Sequence, residues 1–149
     1  MKNINILFVC TGNTCRSPMA EYLAKKRASE TGIPISVSSA GLTALKGDPA
    51  SDEALKVMSE IGIDISPHRA TPFSPEIASK ADFIFAMTQR HLDMILLFFP
   101  SVAGKARLLG KKDITDPYGC DTDVYRKTRD EIDEAIKIRF TEIRGSSDV

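Results

Sequence analysis

INILFVCTGNTCRSPMAE, residues 4–21, changes character twice within one short stretch. Ile4 to Val9 is mostly apolar and β-rich, as a strand buried on both faces should be. Ser17-Pro18 then opens a helix, with Ser as its cap and Pro in its first turn. Met19, Ala20, Leu23 and Ala24 supply the inner stripe of that helix. Between strand and helix lies CTGNTCR, residues 10–16, a loop that begins on a thiol and ends on a guanidinium. Strand, loop and helix in this order start a βαβ crossover, which constrains how the rest of the chain packs.

The alternation continues. Ile35 to Ser39 predicts a second strand, ending in Ala40-Gly41. Ser51-Asp52-Glu53 begins a helix with Ala54, Leu55, Met58 and Ile61 on one face and Gly62 as its stop. Ser74-Pro75 opens a short helical turn, and Ala81 to Met87 is a third buried strand. Thr88 caps a helix carrying Leu92, Ile95, Leu96 and Phe99, closed by Pro100. Ala106 to Leu109 forms a brief fourth strand, and a loop then leads to Asp116-Pro117-Tyr118-Gly119. The last helix runs from about Asp123 to Arg144, with Ile132, Ala135, Ile136 and Ile143 inward and Gly145 as its stop. The tail, 146–149, is expected to fray. This pattern predicts one α/β domain over 1–149, a three-layer sandwich with a parallel sheet between helices. Ligands of such sheets bind beyond the carboxyl ends of the strands. The Cys10 and Asp116 loops therefore share one edge.

Twenty basic residues balance twenty acidic ones. A binder of nucleic acid or of a membrane surface would usually carry a basic excess, so neither partner is expected. The apolar run after Lys2 is too short for a secretory signal and lacks a cleavage site, and ILLFF at 95–99 is far too short to span a bilayer. A cytoplasmic protein is expected, as a monomer or weak oligomer. Three cysteines without C-x2-C spacing and two histidines argue against a disulfide framework or a zinc site. No metal and no cofactor is expected.

The 10–16 loop is built to hold an anion. Its backbone N–H groups and the following helix dipole present positive potential, and Arg16 adds a planar fork for two oxygens. Gly12 and Asn13 are suited to left-handed conformations that turn successive amides inward. Thr11, Thr14 and Cys15 complete the loop. The same surroundings favour a thiolate, so the pKa of Cys10 is expected well below ~8.5. A thiolate beneath a bound dianion makes sense if the sulfur attacks phosphorus, with Ser17 donating a hydrogen bond as the sulfur leaves. Alone, a cysteine at a strand end reads as an inert buried thiol; C-x5-R-S between a strand and a helix reverses that. Asp116-Pro117 alone reads as a turn opener. A carboxyl opposite the nucleophile would also supply the proton that a phenolate or guanidine leaving group needs. His68 reads as structural and His91 as a solvated helix residue. Cys15 is either a small buried hydrophobe or a thiol that captures oxidised Cys10 as a disulfide. Cys120 has no assigned role.

VCTGNTCRSPMAE, with SSAG at 38–41 and DPYG at 116–119, resembles the low-molecular-weight protein tyrosine phosphatase family over essentially the whole chain. The resemblance implies a flavodoxin-like sheet of order 2-1-3-4 and a metal-free reaction through cysteinyl-phosphate on phosphorylated proteins or peptides. It implies Cys10 as nucleophile, Arg16 on the transferring phosphoryl group, Ser17 assisting the thiolate, and Asp116 as general acid and then base. Asn13 would hold the loop in shape through Ser39 and His68. Thr14 replaces the usual aliphatic residue, Thr88 the usual Asp, and Thr71 the usual Arg. With MTxxH at 87–91 and VYRKTRDEIDE at 124–134, these departures resemble the protein arginine phosphatase branch. A threonine hydroxyl at Thr14 would suit a polar guanidino group, Asp116 could pair with it, and Tyr118 offers a flat wall for stacking. Tyr118 would stack equally well on a phenyl ring, so a tyrosine phosphatase is the alternative. Thioredoxin-coupled arsenate reductases share the loop but need a further pair of cysteines. A phosphopeptide-binding module would have no use for Asp116.

Overall fold

Strand β1 (Ile4–Cys10) is buried from Ile6 to its end. Side chains alternate across a strand, so Ile6, Phe8 and Cys10 enter one apolar core while Leu7 and Val9 enter another. The computed structural model describes residues 2–147. In it, β1 is central to a parallel sheet with β2 (Ile35–Gly41), β3 (Phe83–Ala86) and β4 (Ala106–Leu108), in the order β2-β1-β3-β4. Order and direction are those the resemblance implied.

Helices α1 (Arg16–Thr31), α2 (Asp52–Ser59) and α5 (Thr122–Ser147) cover the first core. They bring Met19 and Leu23, Val57 and Met58, and Tyr125, Ile132 and Ile136 against Phe8 and Phe85. On the other face, α3 (Pro75–Lys80) and α4 (Gln89–Phe98) bring Ala78 and Ile95 against Leu7, Val9 and Ile84. Among the described residues, no helix is long and apolar enough to cross a membrane.

Three helix caps follow the sequence: Ser51, Ser74 and Thr88 accept from the backbone N–H of Ala54, Ile77 and His91, as a capping hydroxyl should. Other expectations need correction. Helix α1 begins at Arg16 after Cys15, with no side-chain cap, because the hydroxyl of Ser17 is turned to Cys10 instead. Helix α2 ends at Ser59, so Ile61 falls in the turn closed by Gly62 and is 36 % exposed, while Val57 is buried in its place. Helix α5 runs through Gly145 to Ser147, since an exposed glycine weakens a helix without ending it. Of the tail expected to fray, 148 and 149 lie outside the described residues.

Candidate active site

β1 and β2 end side by side, with Cys10 in register with Gly41. The 11–15 loop lies directly on that glycine. A Cβ there would sit 2.7 Å from the Thr11 carbonyl oxygen, 2.8 Å from the Asn13 nitrogen and 2.9 Å from the Ala44 Cβ. Only a residue without a side chain lets loop and strand approach so closely. Asn13 takes the left-handed conformation with φ 57°. Gly12, expected to share that role, does not.

Asn13 uses every polar group it has. Its amide nitrogen donates to Ser17 Oγ at 2.7 Å and to Ser39 Oγ at 2.9 Å, and its Oδ1 accepts from the Thr71 N–H at 2.9 Å. Its carbonyl accepts from His68 Nε2 at 2.7 Å; a carbonyl can only accept, so that nitrogen carries the proton. Ser39 in turn donates to Glu21, which also pairs with Lys25 at 2.6 Å. Because Asn13 donates to Ser17 Oγ, the hydroxyl proton of Ser17 is free for the Cys10 sulfur, 2.8 Å away. The backbone N–H of Asn13 approaches the same sulfur at 3.3 Å.

These donors do not depress the thiol as the sequence led us to expect. Burial pushes Cys10 up from its ordinary value, opposed by the hydroxyl and backbone N–H of Ser17, the N–H of Asn13 and the charge of Arg16. Burial is the largest of these influences, and a loop sequence does not reveal how completely its sulfur is covered.

Arg16 is 5 % exposed and donates from Nη1 to the Ile114 carbonyl at 3.0 Å, while Nη2 lies 3.7 Å from Asp116 Oδ2. The guanidinium thus ties the 10–16 loop to the segment carrying Asp116. Asp116 Oδ1 accepts from the Tyr118 N–H at 3.1 Å, and the Tyr118 ring stands open, 78 % exposed. Cys10, Thr11, Gly12, Thr14, Cys15, Arg16, Asp116 and Tyr118 line one cleft of about 210 Å³. The described geometry therefore brings together every loop residue the sequence singled out except Asn13 and Ser17, which sit behind the cleft with Ser39 and His68.

The likeness to known proteins runs the length of the chain. Residues 5–147 match the family model described as low molecular weight phosphotyrosine protein phosphatase. The chain belongs to that family. A protein-arginine-phosphatase of Bacillus subtilis (strain 168) is 37% identical over 140 residues, covering 90% of this chain and 93% of that one. The low molecular weight protein-tyrosine-phosphatase Ptp of Acinetobacter johnsonii is 40% identical over 127 residues, 83% and 87% of the two chains. The structure of a YwlE arginine phosphatase mutant with a phosphorylated active site serine superposes with a TM-score of 0.91 at 35% identity, over 95% of this chain and 96% of that one. As a low-molecular-weight phosphatase, the protein is a cysteine-dependent hydrolase that works without a metal ion.

Three features of the site escaped the sequence. Glu21, on α1, anchors the Asn13 network through Ser39; its only sequence signal is a position one helical turn beyond Ser17. The 3.3 Å contact of the Tyr125 hydroxyl with the Cys15 sulfur comes from the far helix α5. His91, expected in solvent, is 5 % exposed and lies 2.8 Å from the Thr11 hydroxyl through Nε2. It is buried because α4 starts directly over the 10–16 loop, a placement set by sheet order and not by local sequence.

Proposed function

We propose that this low-molecular-weight phosphatase removes phosphoryl groups from arginine side chains of proteins, using Cys10, Arg16 and Asp116. In the first step the Cys10 thiol passes its proton to an oxygen of the bound phosphoryl group, and the sulfur forms a bond to phosphorus as the P–N bond to the guanidino group breaks. The departing nitrogen takes its proton from Asp116, and Arg16 with the loop amides holds the phosphoryl oxygens. In the second step water attacks phosphorus and gives a proton back to Asp116. The S–P bond breaks, its electron pair returns to sulfur beside the Ser17 hydroxyl, and inorganic phosphate leaves. No oxidant, reductant or metal enters the balance. The free thiols fit a reducing compartment such as the cytoplasm, where phosphorylated proteins or peptides are the partners.

The arginine preference rests on one observation. Thr14 lines the cleft, and the contact of its hydroxyl with the Cys15 sulfur is a long one, 3.7 Å. It is positioned to serve a polar guanidino group where an alkyl side chain would serve only an apolar one. The B. subtilis relative named as an arginine phosphatase supports this. The A. johnsonii relative named as a tyrosine phosphatase, together with the open Tyr118 ring, supports phosphotyrosine as the second reading.

The test is a side-by-side rate comparison on phosphoarginine and phosphotyrosine peptides. The wild-type protein should prefer phosphoarginine, and Thr14→Ile should shift that preference towards phosphotyrosine by about tenfold, the effect of one polar contact. A wild-type preference for phosphotyrosine that Thr14→Ile leaves unchanged would remove the arginine assignment.

A further inference from the structure

The imidazole of His91 has one nitrogen 2.8 Å from Thr11 Oγ1, and its other nitrogen, Nδ1, is buried without a hydrogen-bond partner among the described residues. A neutral imidazole carries one proton, on one nitrogen or the other. Placed on Nδ1, that proton would be a stranded buried donor; placed on Nε2, it leaves only a stranded acceptor. Buried donors without partners are the rarer and more costly case. The proton therefore belongs on Nε2, which donates to Thr11 Oγ1. With an oxygen lone pair so engaged, the hydroxyl proton of Thr11 must point elsewhere.

Thr11 follows the nucleophile directly and lines the cleft with Cys10, Arg16 and Asp116. Its backbone is pinned as well, the carbonyl accepting from the Thr43 N–H at 2.9 Å. His91 is fixed from its own side, in the first turn of α4, where its N–H donates to the Thr88 hydroxyl at 3.2 Å. We propose that His91 is a positioning residue that holds the Thr11 hydroxyl with its proton turned into the cleft, where it donates to an oxygen of the phosphoryl group. This adds a side-chain donor to the loop amides, preorganised where negative charge gathers during transfer. Neutrality is required, because a doubly protonated ring would strand a charged donor. Burial and the neighbouring Arg16 hold His91 down to about 4, which keeps it neutral at physiological pH. The inference rests on the phosphatase assignment of the cleft.

The experiment is a double-mutant cycle of Thr11→Val and His91→Leu, with His91→Gln as the conservative variant whose amide can replace Nε2–H. Thr11→Val should lower kcat/KM on a phosphoarginine peptide about tenfold, mostly in kcat, as loss of a charge-assisted hydrogen bond does. His91→Leu should cost about as much when Thr11 is present and little when Val replaces it. His91→Gln should recover much of the loss. Equal His91→Leu losses in both backgrounds, or no loss from Thr11→Val, would overturn the proposal. Thr11→Val alters an exposed side chain, so the second outcome can be read whether or not His91→Leu folds. If the wild type hydrolyses neither phosphoarginine nor phosphotyrosine peptides, the proposed function fails; the same cycle read as vanadate affinity still decides the case of His91.

Discussion

The sulfur of Cys10 and the ring of His91 are both buried groups whose charged forms the fold disfavours. For Cys10 the balance is set by coverage against the donors Ser17 and Asn13 and the charge of Arg16. For His91 burial comes first, then Arg16; Asp116 and Asp113 act the other way and Arg90 adds to the repulsion. The consequence for stability has a definite sign. His91 drops from an ordinary value of 6.5 to about 4 on folding, so its contribution is fully present above 6.5. It is lost as pH falls from there towards 4, because the unfolded chain takes up the proton first. The loss at pH 4.5 should be about 2 kcal/mol. Urea unfolding at pH 7 and pH 4.5 should therefore show the wild type losing about that much more than His91→Gln. Equal losses would mean that His91 is not held neutral by the fold.

Among the elements, β2 approaches the 10–16 loop closely enough to leave no room for a side chain at Gly41. A side chain at Gly41 meets backbone atoms of Thr11 and Asn13 below 3.0 Å, and backbone cannot move aside as the end of a long side chain can. Gly41→Ala should destabilise the protein by about 1–3 kcal/mol, as overpacking does. It should also lower kcat/KM at least about tenfold, because a small displacement of the loop proposed to hold the phosphoryl group is costly to catalysis. Unaltered kinetics and melting temperature in that variant would show that the loop does not depend on the glycine. This contact also marks what the sequence could reveal. The apolar runs at 4–9 and 83–86 made the strands legible, and Ser51, Ser74 and Thr88 made three helix starts legible, because both signals are local. Glu21 and His91 were not legible as parts of the site, since their partners Ser39 and Thr11 are distant in sequence. The start of α1 was misplaced for a related reason: the hydroxyl expected to cap it serves the sulfur instead.

At the scale of the molecule, the order β2-β1-β3-β4 makes the chain reverse direction across the sheet after β2. The switch point falls between the carboxyl ends of β1 and β3, where α/β sheets open a crevice. The 10–16 loop leaves from β1, the Thr88–His91 segment from β3, and the Asp116 segment follows β4 and is stitched back by the Ile114 N–H to the Met87 carbonyl at 2.9 Å. Helix α5 closes the far face, tied to α1 by the two-point pairing of Arg27 with Asp133 and to α2 by Arg129 on the Val57 carbonyl. The whole fold thus delivers the Cys10 sulfur, the Arg16 guanidinium and the Asp116 carboxylate to a single cleft. The most direct measurement is mass spectrometry of enzyme quenched in acid during turnover, with Asp116→Ala slowing release of the intermediate. One phosphoryl group carried on Cys10, in an amount that falls as substrate is exhausted, is the predicted result; steady turnover with Cys10 unmodified, or with the phosphoryl group on another residue, would contradict it.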